Sequence, residues 1–172
     1  MFRYLGLTLL ELLVTVSILT LAVTLGVPSI SGAQRNLQLK GATETVYFTF
    51  QKARSFAIAK GVDITISLRE GADWCVALSD AGECDCMARK QCLVDGVLYY
   101  IDSNDYALID MQQLKFGKSD LTIFDPVRGL AMGHAGSVVF SDGSHQLKLI
   151  LSNMGRVRIC SPSKAWGGYA KC

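Results

Sequence analysis

Residues 7–27 read LTLLELLVTVSILTLAVTLGV, twenty-one positions carrying one charge, Glu11. A helix of that length covers the ~30 Å hydrocarbon core of a bilayer. Arg3, on the short side of the run, is expected to hold that end in the cytoplasm, with everything after Val27 exported. A cleaved secretory signal, with Ser31-Gly32-Ala33 as its small-residue cut site, and a plain signal anchor are two ordinary readings of such a run. Glu11 argues against both. A lone carboxylate inside an apolar span costs ~2.5–3.5 kcal/mol on insertion scales, and no cation within the span offsets it.

The residues around Glu11 supply a partner of another kind. Gly6-Leu7-Thr8-Leu9-Leu10-Glu11, followed by the apolar run, resembles the class III signal of type IV pilins and pseudopilins. The resemblance implies that a prepilin peptidase cuts after Gly6 and methylates the new N-terminus at Leu7. Glu11 then lies where the family keeps its glutamate, and Pro28 where many pilins carry a helix-breaking proline. Leu7 departs from the commoner Phe or Met. In a filament, the α-ammonium of an adjoining subunit would pair with Glu11, offsetting the buried charge and setting the axial register.

Beyond Pro28 the pattern turns amphipathic. Ile30, Ala33 and Leu37 recur at helical spacing, as do Leu39, Ala42, Val46, Phe50, Ala53 and Ala57, and Gly61 is a natural stop. The spacing predicts one helix from about Leu7 to Lys60, loosened near Gly26, Pro28, Gly32 and Gly41. From Val62 the period becomes two. Strands are expected at 62–68, 74–78, 97–101, 106–111, 121–124, 137–140, 147–152 and 157–160, with turns at Asp95-Gly96, Asp142-Gly143 and 153–155. Helix first and antiparallel strands afterwards means an α+β fold, a long N-terminal helix with a membrane-spanning first half packed on a C-terminal antiparallel sheet domain. The expected division is a leader over 1–6, a transmembrane and filament-core helix over 7–28, and a periplasmic domain over 29–172. That domain comprises an amphipathic helix over 29–60 and a β-rich region over 62–172.

Composition agrees with one globular domain and an extra element: 172 residues, 50% hydrophobic and 19% charged, net +2. The near-neutral charge excludes a uniformly basic nucleic-acid coat. It conceals an asymmetry, because residues 1–142 carry twelve Lys/Arg against fifteen Asp/Glu, whereas 143–172 carry five Lys/Arg and no acid.

Six cysteines suit an exported domain: Cys75, Cys84, Cys86, Cys92, Cys160 and Cys172. Proximity favours Cys160 with Cys172, leaving the other four to clamp the 75–92 region. Those four could instead hold zinc, but their spacing lacks paired C-x2-C knuckles. No cofactor is expected. His134 and His145 are the only histidines, and no G-x-S-x-G elbow, H-E-x-x-H pair or P-loop occurs. Asp142, Ser144 and His145 are too close along the chain to converge as a triad, so they read as a polar turn and the chain reads as no enzyme.

In the basic tail, a strand at 157–160 would put Arg156 and Arg158 on one face, ~6–7 Å apart, a spacing comparable with neighbouring phosphates. Lys164 and Lys171 add charge, and Trp166 and Tyr169 offer stacking surfaces. Alternatively the arginines pair with the domain's Asp residues or face solvent on an edge strand. Gly155-Arg156-Val157-Arg158 looks like the G-R-x-R element of FimT-type pilins, in some of which it binds DNA during natural transformation. The whole chain resembles the broader FimT/FimU and GspH family. That resemblance implies a minor pilin near a pilus tip, or alternatively a GspH-type pseudopilin of type II secretion. Its partners would be other major and minor pilins or pseudopilins, the prepilin peptidase, the bacterial inner membrane and, for a DNA-uptake pilin, double-stranded DNA.

Overall fold

The computed structural model describes residues 8–88, 91–117 and 120–172, with the side chains of 25–30 outside that description. Gly6 and Leu7, where processing is expected, lie outside the described residues. Two compact units are distinguished, the first ending at Gln34 and the second running from Arg35 to Cys172.

Helix α1 spans Leu9–Lys60. Thr8 is its N-cap, the hydroxyl accepting the Glu11 N–H at 3.2 Å. Thr8 and Glu11 therefore stand at the positions of a capping box. At the other end Gly61, at φ +67°, donates its N–H to the Ala57 carbonyl, the left-handed stop that glycine supplies without a Cβ penalty. Helical assignment is continuous through Gly26, Pro28, Gly32 and Gly41.

In the second unit, Leu39, Ala42, Val46, Phe50, Ala53 and Ala57 of α1 are fully buried, the stripe expected from the sequence. Leu37 is a correction: it is 70% exposed, and Ala33 is exposed as well. At 100° per residue Leu37 stands about 200° from Leu39 around the helix, so one face cannot bury both.

Ten strands follow. The first sheet orders β5 (Tyr100–Asp102), β2 (Cys75–Ser79), β1 (Ile64–Arg69) and β7 (Leu121–Phe124). The second orders β10 (Val157–Cys160), β9 (Gln146–Leu151), β8 (Gly136–Ser141) and β6 (Asp110–Phe116). β3 (Leu93–Val94) and β4 (Val97–Leu98) form a separate hairpin. These strands pair antiparallel throughout. The helix stripe and both larger sheets share one core. Phe50 lies 5.7 Å from the Phe116 ring of β6 and 6.5 Å from the Phe124 ring of β7, centroid to centroid, so it touches both sheets.

Two expected strands differ. The strand at 97–101 divides at Tyr99, because Val97–Leu98 pairs with β3 while Tyr100–Asp102 pairs with β2. The strand at 106–111 begins only at Asp110. Residues 103–108 turn instead: the Asp102 carboxylate accepts the Asn104 N–H, an Asx turn, and the Tyr106 hydroxyl bonds Thr45 of α1 at 2.8 Å. Tyr106 also stacks on buried Trp74, so its ring packs on the core from a turn rather than from a strand.

The cysteines are all paired: Cys75–Cys86, Cys84–Cys92 and Cys160–Cys172. The first ties the 84–92 segment to β2, the second closes that segment on itself, and the third closes the tail. Each loop of this size is worth about 3 kcal/mol in the chain-entropy picture.

Candidate functional site

From Leu9 to Thr24 the helix exposes apolar side chains all round, with Leu9 80%, Leu13 59%, Leu19 64% and Val23 60% exposed. Its hydroxyls are satisfied within the helix: Thr15 donates to the Leu12 carbonyl, Ser17 to Leu13, Thr20 to Val16 and Thr24 to Leu21. Such back-bonding removes the need for water at these side chains, which suits an apolar environment. Glu11 is then the one side chain of this stretch with a polar demand the helix does not meet by itself. Among the described residues no helix is long and apolar enough to cross a membrane. The expected span over 7–28 extends past them at Leu7 and through the undescribed side chains of 25–30.

The second candidate region is the β9–β10 hairpin and the chain that follows it. Gly155 sits at φ +72°, and a Cβ there would lie 2.1 Å from the Gly129 carbonyl oxygen and 3.3 Å from Arg54 Nε. Only glycine fits. The Gly155 carbonyl accepts Arg54 Nη1 at 3.5 Å, and the Asn153 carbonyl accepts the Ala131 N–H, so the hairpin tip is pinned to α1 and to the loop after β7. That loop is ordered by Asp125, whose carboxylate accepts the N–H groups of Val127, Arg128 and Leu130. These bonds, the one from Arg128 foremost, hold the Asp125 carboxyl below its ordinary range against the opposing effect of burial.

From this fixed tip Arg156 and Arg158 both project into solvent, with Val157 between them buried. β10 is an edge strand, and neither arginine pairs with a carboxylate among the described residues. Ile150, Ser152, Met154, Arg156 and Arg158 line a groove of about 390 Å³. A second groove of about 450 Å³ runs between α1 and β10, lined by Glu44, Tyr47, Phe48, Val157, Arg158, Ile159 and Tyr169. Arg158 lies at the border of both.

The tail folds back onto its own domain. Ser161 donates its N–H to the Ala170 carbonyl and accepts that of Cys172. Lys164 and Lys171 remain exposed. The aromatic residues are a correction to the expected stacking surfaces: both are engaged within the chain. Trp166 stacks on His145 at 4.5 Å between ring centroids, and the Tyr169 hydroxyl donates to Glu44. Burial, with the Glu44 hydrogen bond and charge added, pushes the Tyr169 phenol up to about 12. Asp142 caps its turn by accepting the N–H groups of Ser144 and His145, consistent with the polar-turn reading.

Sequence spacing had not singled out Thr8 as a cap, although the T-x-x-E pattern was available to find it. It also had not joined Lys148 to the arginines. Lys148 stands opposite Cys160, on the strand neighbouring Arg158, and only the hairpin register reveals this.

A family model described as type II transport protein GspH matches residues 42–155. The fold is similar to that of the Pseudomonas aeruginosa (strain PAO1) type IV minor pilin FimU in two crystal forms. In one, identity is 19% and the TM-score 0.51, covering 76% of this chain and 100% of the FimU chain. In the other they are 20% and 0.50, covering 76% and 95%. No curated protein sequence matches the chain.

Proposed function

We propose that this chain, which belongs to the GspH family of type II transport proteins, is a minor pilin or pseudopilin built into a filament through its first helical unit. The observation that carries the reading is the stretch Leu9–Thr24: apolar residues exposed all round, hydroxyls satisfied internally, and one carboxylate in the first turn. Such a helix is stable only inside a bilayer or a bundle of like helices. The role begins in the bacterial inner membrane, with residues 29–172 in the periplasm. Prepilin peptidase removes residues 1–6 after Gly6 and methylates Leu7, and Glu11 pairs with the new N-terminus of a neighbouring pilin or pseudopilin. The role is one of assembly, without catalysis.

The test is made in cells. Gly6→Val is expected to block leader removal, and Glu11→Ala to leave a processed protein that sits in the membrane but fails to enter the filament. Normal processing of the first variant, or wild-type incorporation of the second, overturns the reading.

A finer reading concerns the machine. Two exposed arginines at a pinned edge strand, neither paired with a carboxylate among the described residues, favour contact with double-stranded DNA during uptake, with Lys164 and Lys171 contributing charge. The alternative is a GspH-type minor pseudopilin of type II secretion with no DNA affinity. Titrating the full chain in non-ionic detergent against duplex DNA separates them. Salt-sensitive binding that is lost in Arg156→Ala/Arg158→Ala supports uptake, and no binding by the wild type supports secretion.

A further inference from the structure

The strand registers extend the charged site beyond the tail. Arg158 pairs with Ile150 on β9, Ile150 with Ser137 on β8, and Ser137 with Lys115 on β6. One row of side chains on the outer face of the second sheet therefore runs from Arg158 to Lys115 across four strands. The neighbouring row runs from Cys160 through Lys148 and Val139 to Gln112. The opposite face holds Val138, Phe140, Leu149 and Phe116 in the core, so these rows lie on the other face, which is open at Arg158 and Lys115 and buried at Cys160, Val139 and Ser141.

Lys115 is exposed and Lys148 half-buried. Val139, beside Lys148 in its row, is only 2% exposed, consistent with the lysine stem lying across the sheet and its ammonium reaching the rim. Neither lysine pairs with a carboxylate among the described residues. Among the strand residues of this face Asp110 is the sole acid, and it lies in the row of Ser141 and Gln146, away from the hairpin tip.

We propose that the outer face of this sheet is a binding surface for the phosphodiester backbone of duplex DNA, with Lys148 and Lys115 as contacts alongside Arg156 and Arg158. The inference rests on the DNA-contact reading above and changes its shape, from a pair of tail arginines to a sheet face. Arg156 at the hairpin tip clusters with Arg158 and Lys148 on two adjacent strands, where they meet successive phosphates of one DNA strand. Lys115 stands three strand spacings away, ~14 Å from Arg158 at the backbone. That separation is on the scale of the ~12 Å major groove, so Lys115 meets the other DNA strand across it. Half-buried Ile150, beside Arg158 in this row, bears no base-reading donor or acceptor, and phosphate contacts carry no sequence information, so the contact is independent of sequence.

The salt dependence of binding counts the contacts. The four contacts of this face account for about −3.6 in the slope of log K against log salt, or about a hundredfold loss of affinity from 50 to 200 mM. With the full chain in non-ionic detergent, Lys115→Gln/Lys148→Gln is expected to make the slope shallower by about 1.8. Lys115→Arg/Lys148→Arg should keep it, and Lys52→Gln, an exposed helix lysine away from the sheet, should leave it unchanged. Circular dichroism checks that each variant is folded. A wild-type slope in the Gln pair, with Arg156→Ala/Arg158→Ala still abolishing binding, overturns the sheet-face proposal and leaves the tail reading standing. No binding by the wild type overturns both. An equal change in Lys52→Gln also overturns it, since the effect would then be one of net charge.

Discussion

Helix α1 presents the same residue types to opposite fates. Leu9–Thr24 exposes Leu13, Ile18 and Leu19, whereas Leu39, Val46 and Phe50 further along are buried completely. The later stretch places its apolar residues three and four apart and polar ones between, so one stripe meets the sheets and the rest meets water. The early stretch has apolar residues on every side, and no single packing face follows from that. Its hydroxyls, though not Glu11, bond its own carbonyls; in the later stretch Thr43 and Thr49 do the same, but Thr45 reaches out of the helix to Tyr106. The domain is stabilised by its own chain; the first unit has to be stabilised by something outside it.

Truncation in each half tests that contrast, and the largest effect is expected at Phe50. Phe50→Ala opens a cavity between the two sheets and should lower the domain's unfolding free energy by about 3–5 kcal/mol, measured by denaturant unfolding of the full chain in detergent. Leu19→Ala should change it by less than about 0.5 kcal/mol. Equal losses from both would mean that the exposed half contributes to the domain core after all.

The stripe from Leu39 to Ala57 was legible in the sequence because helical periodicity encodes it directly. Leu37 is apolar at helical spacing too, but spacing alone does not say which face of the helix the sheets cover. Tyr106 is a strand-favouring residue, yet the Asx turn at Asp102 and the Tyr106–Thr45 bond outweigh that preference. In the candidate site, Arg156 and Arg158 were legible as alternate residues of one strand. Lys148 and Lys115 were not, because cross-strand neighbours depend on the register of a hairpin and on the bulge between Gln112 and Lys115. Trp166 and Tyr169 looked like free platforms because nothing local to the tail announces His145 or Glu44.

Glycines sharpen the comparison at intermediate cost. Gly32, in the first unit, has no heavy atom near a built Cβ and lies within α1, so Gly32→Ala should favour the helix by about 0.5–1 kcal/mol. Gly155→Ala meets the Gly129 backbone and a left-handed φ together, and should cost about 2 kcal/mol or more. Gly143→Ala separates the two terms, because Gly143 has φ +86° but open space around a Cβ. It should lose only the conformational part, about 1 kcal/mol. A Gly155 variant no worse than the Gly143 variant would show that the hairpin tip yields, and that Arg156 is not held as rigidly as the packing implies.

The smallest effect belongs to the tail clasp, and it has a pH signature. The protonated Tyr169 hydroxyl donates to Glu44, and its folded-state pKa is raised from 10.0 to about 12. A raised pKa means the clasp's contribution is complete below about pH 10 and declines as pH climbs through about 12, because the unfolded chain releases the proton first. The pair is partly exposed, so solvent screening keeps its worth near neutrality under about 1 kcal/mol. Tyr169→Phe should therefore cost little at pH 7 and remove Tyr169's share of the stability loss between pH 10 and 12. Tyrosinate absorbance of the wild type should show a phenol titrating late, absent in the variant. The Cys160–Cys172 bridge remains in Tyr169→Phe, so the tail stays tethered while the clasp opens. An unchanged alkaline stability profile in the variant would mean that the bridge and the Trp166–His145 stack alone keep the tail in place. The link from the tail to Glu44 would then be a contact without mechanical consequence for α1.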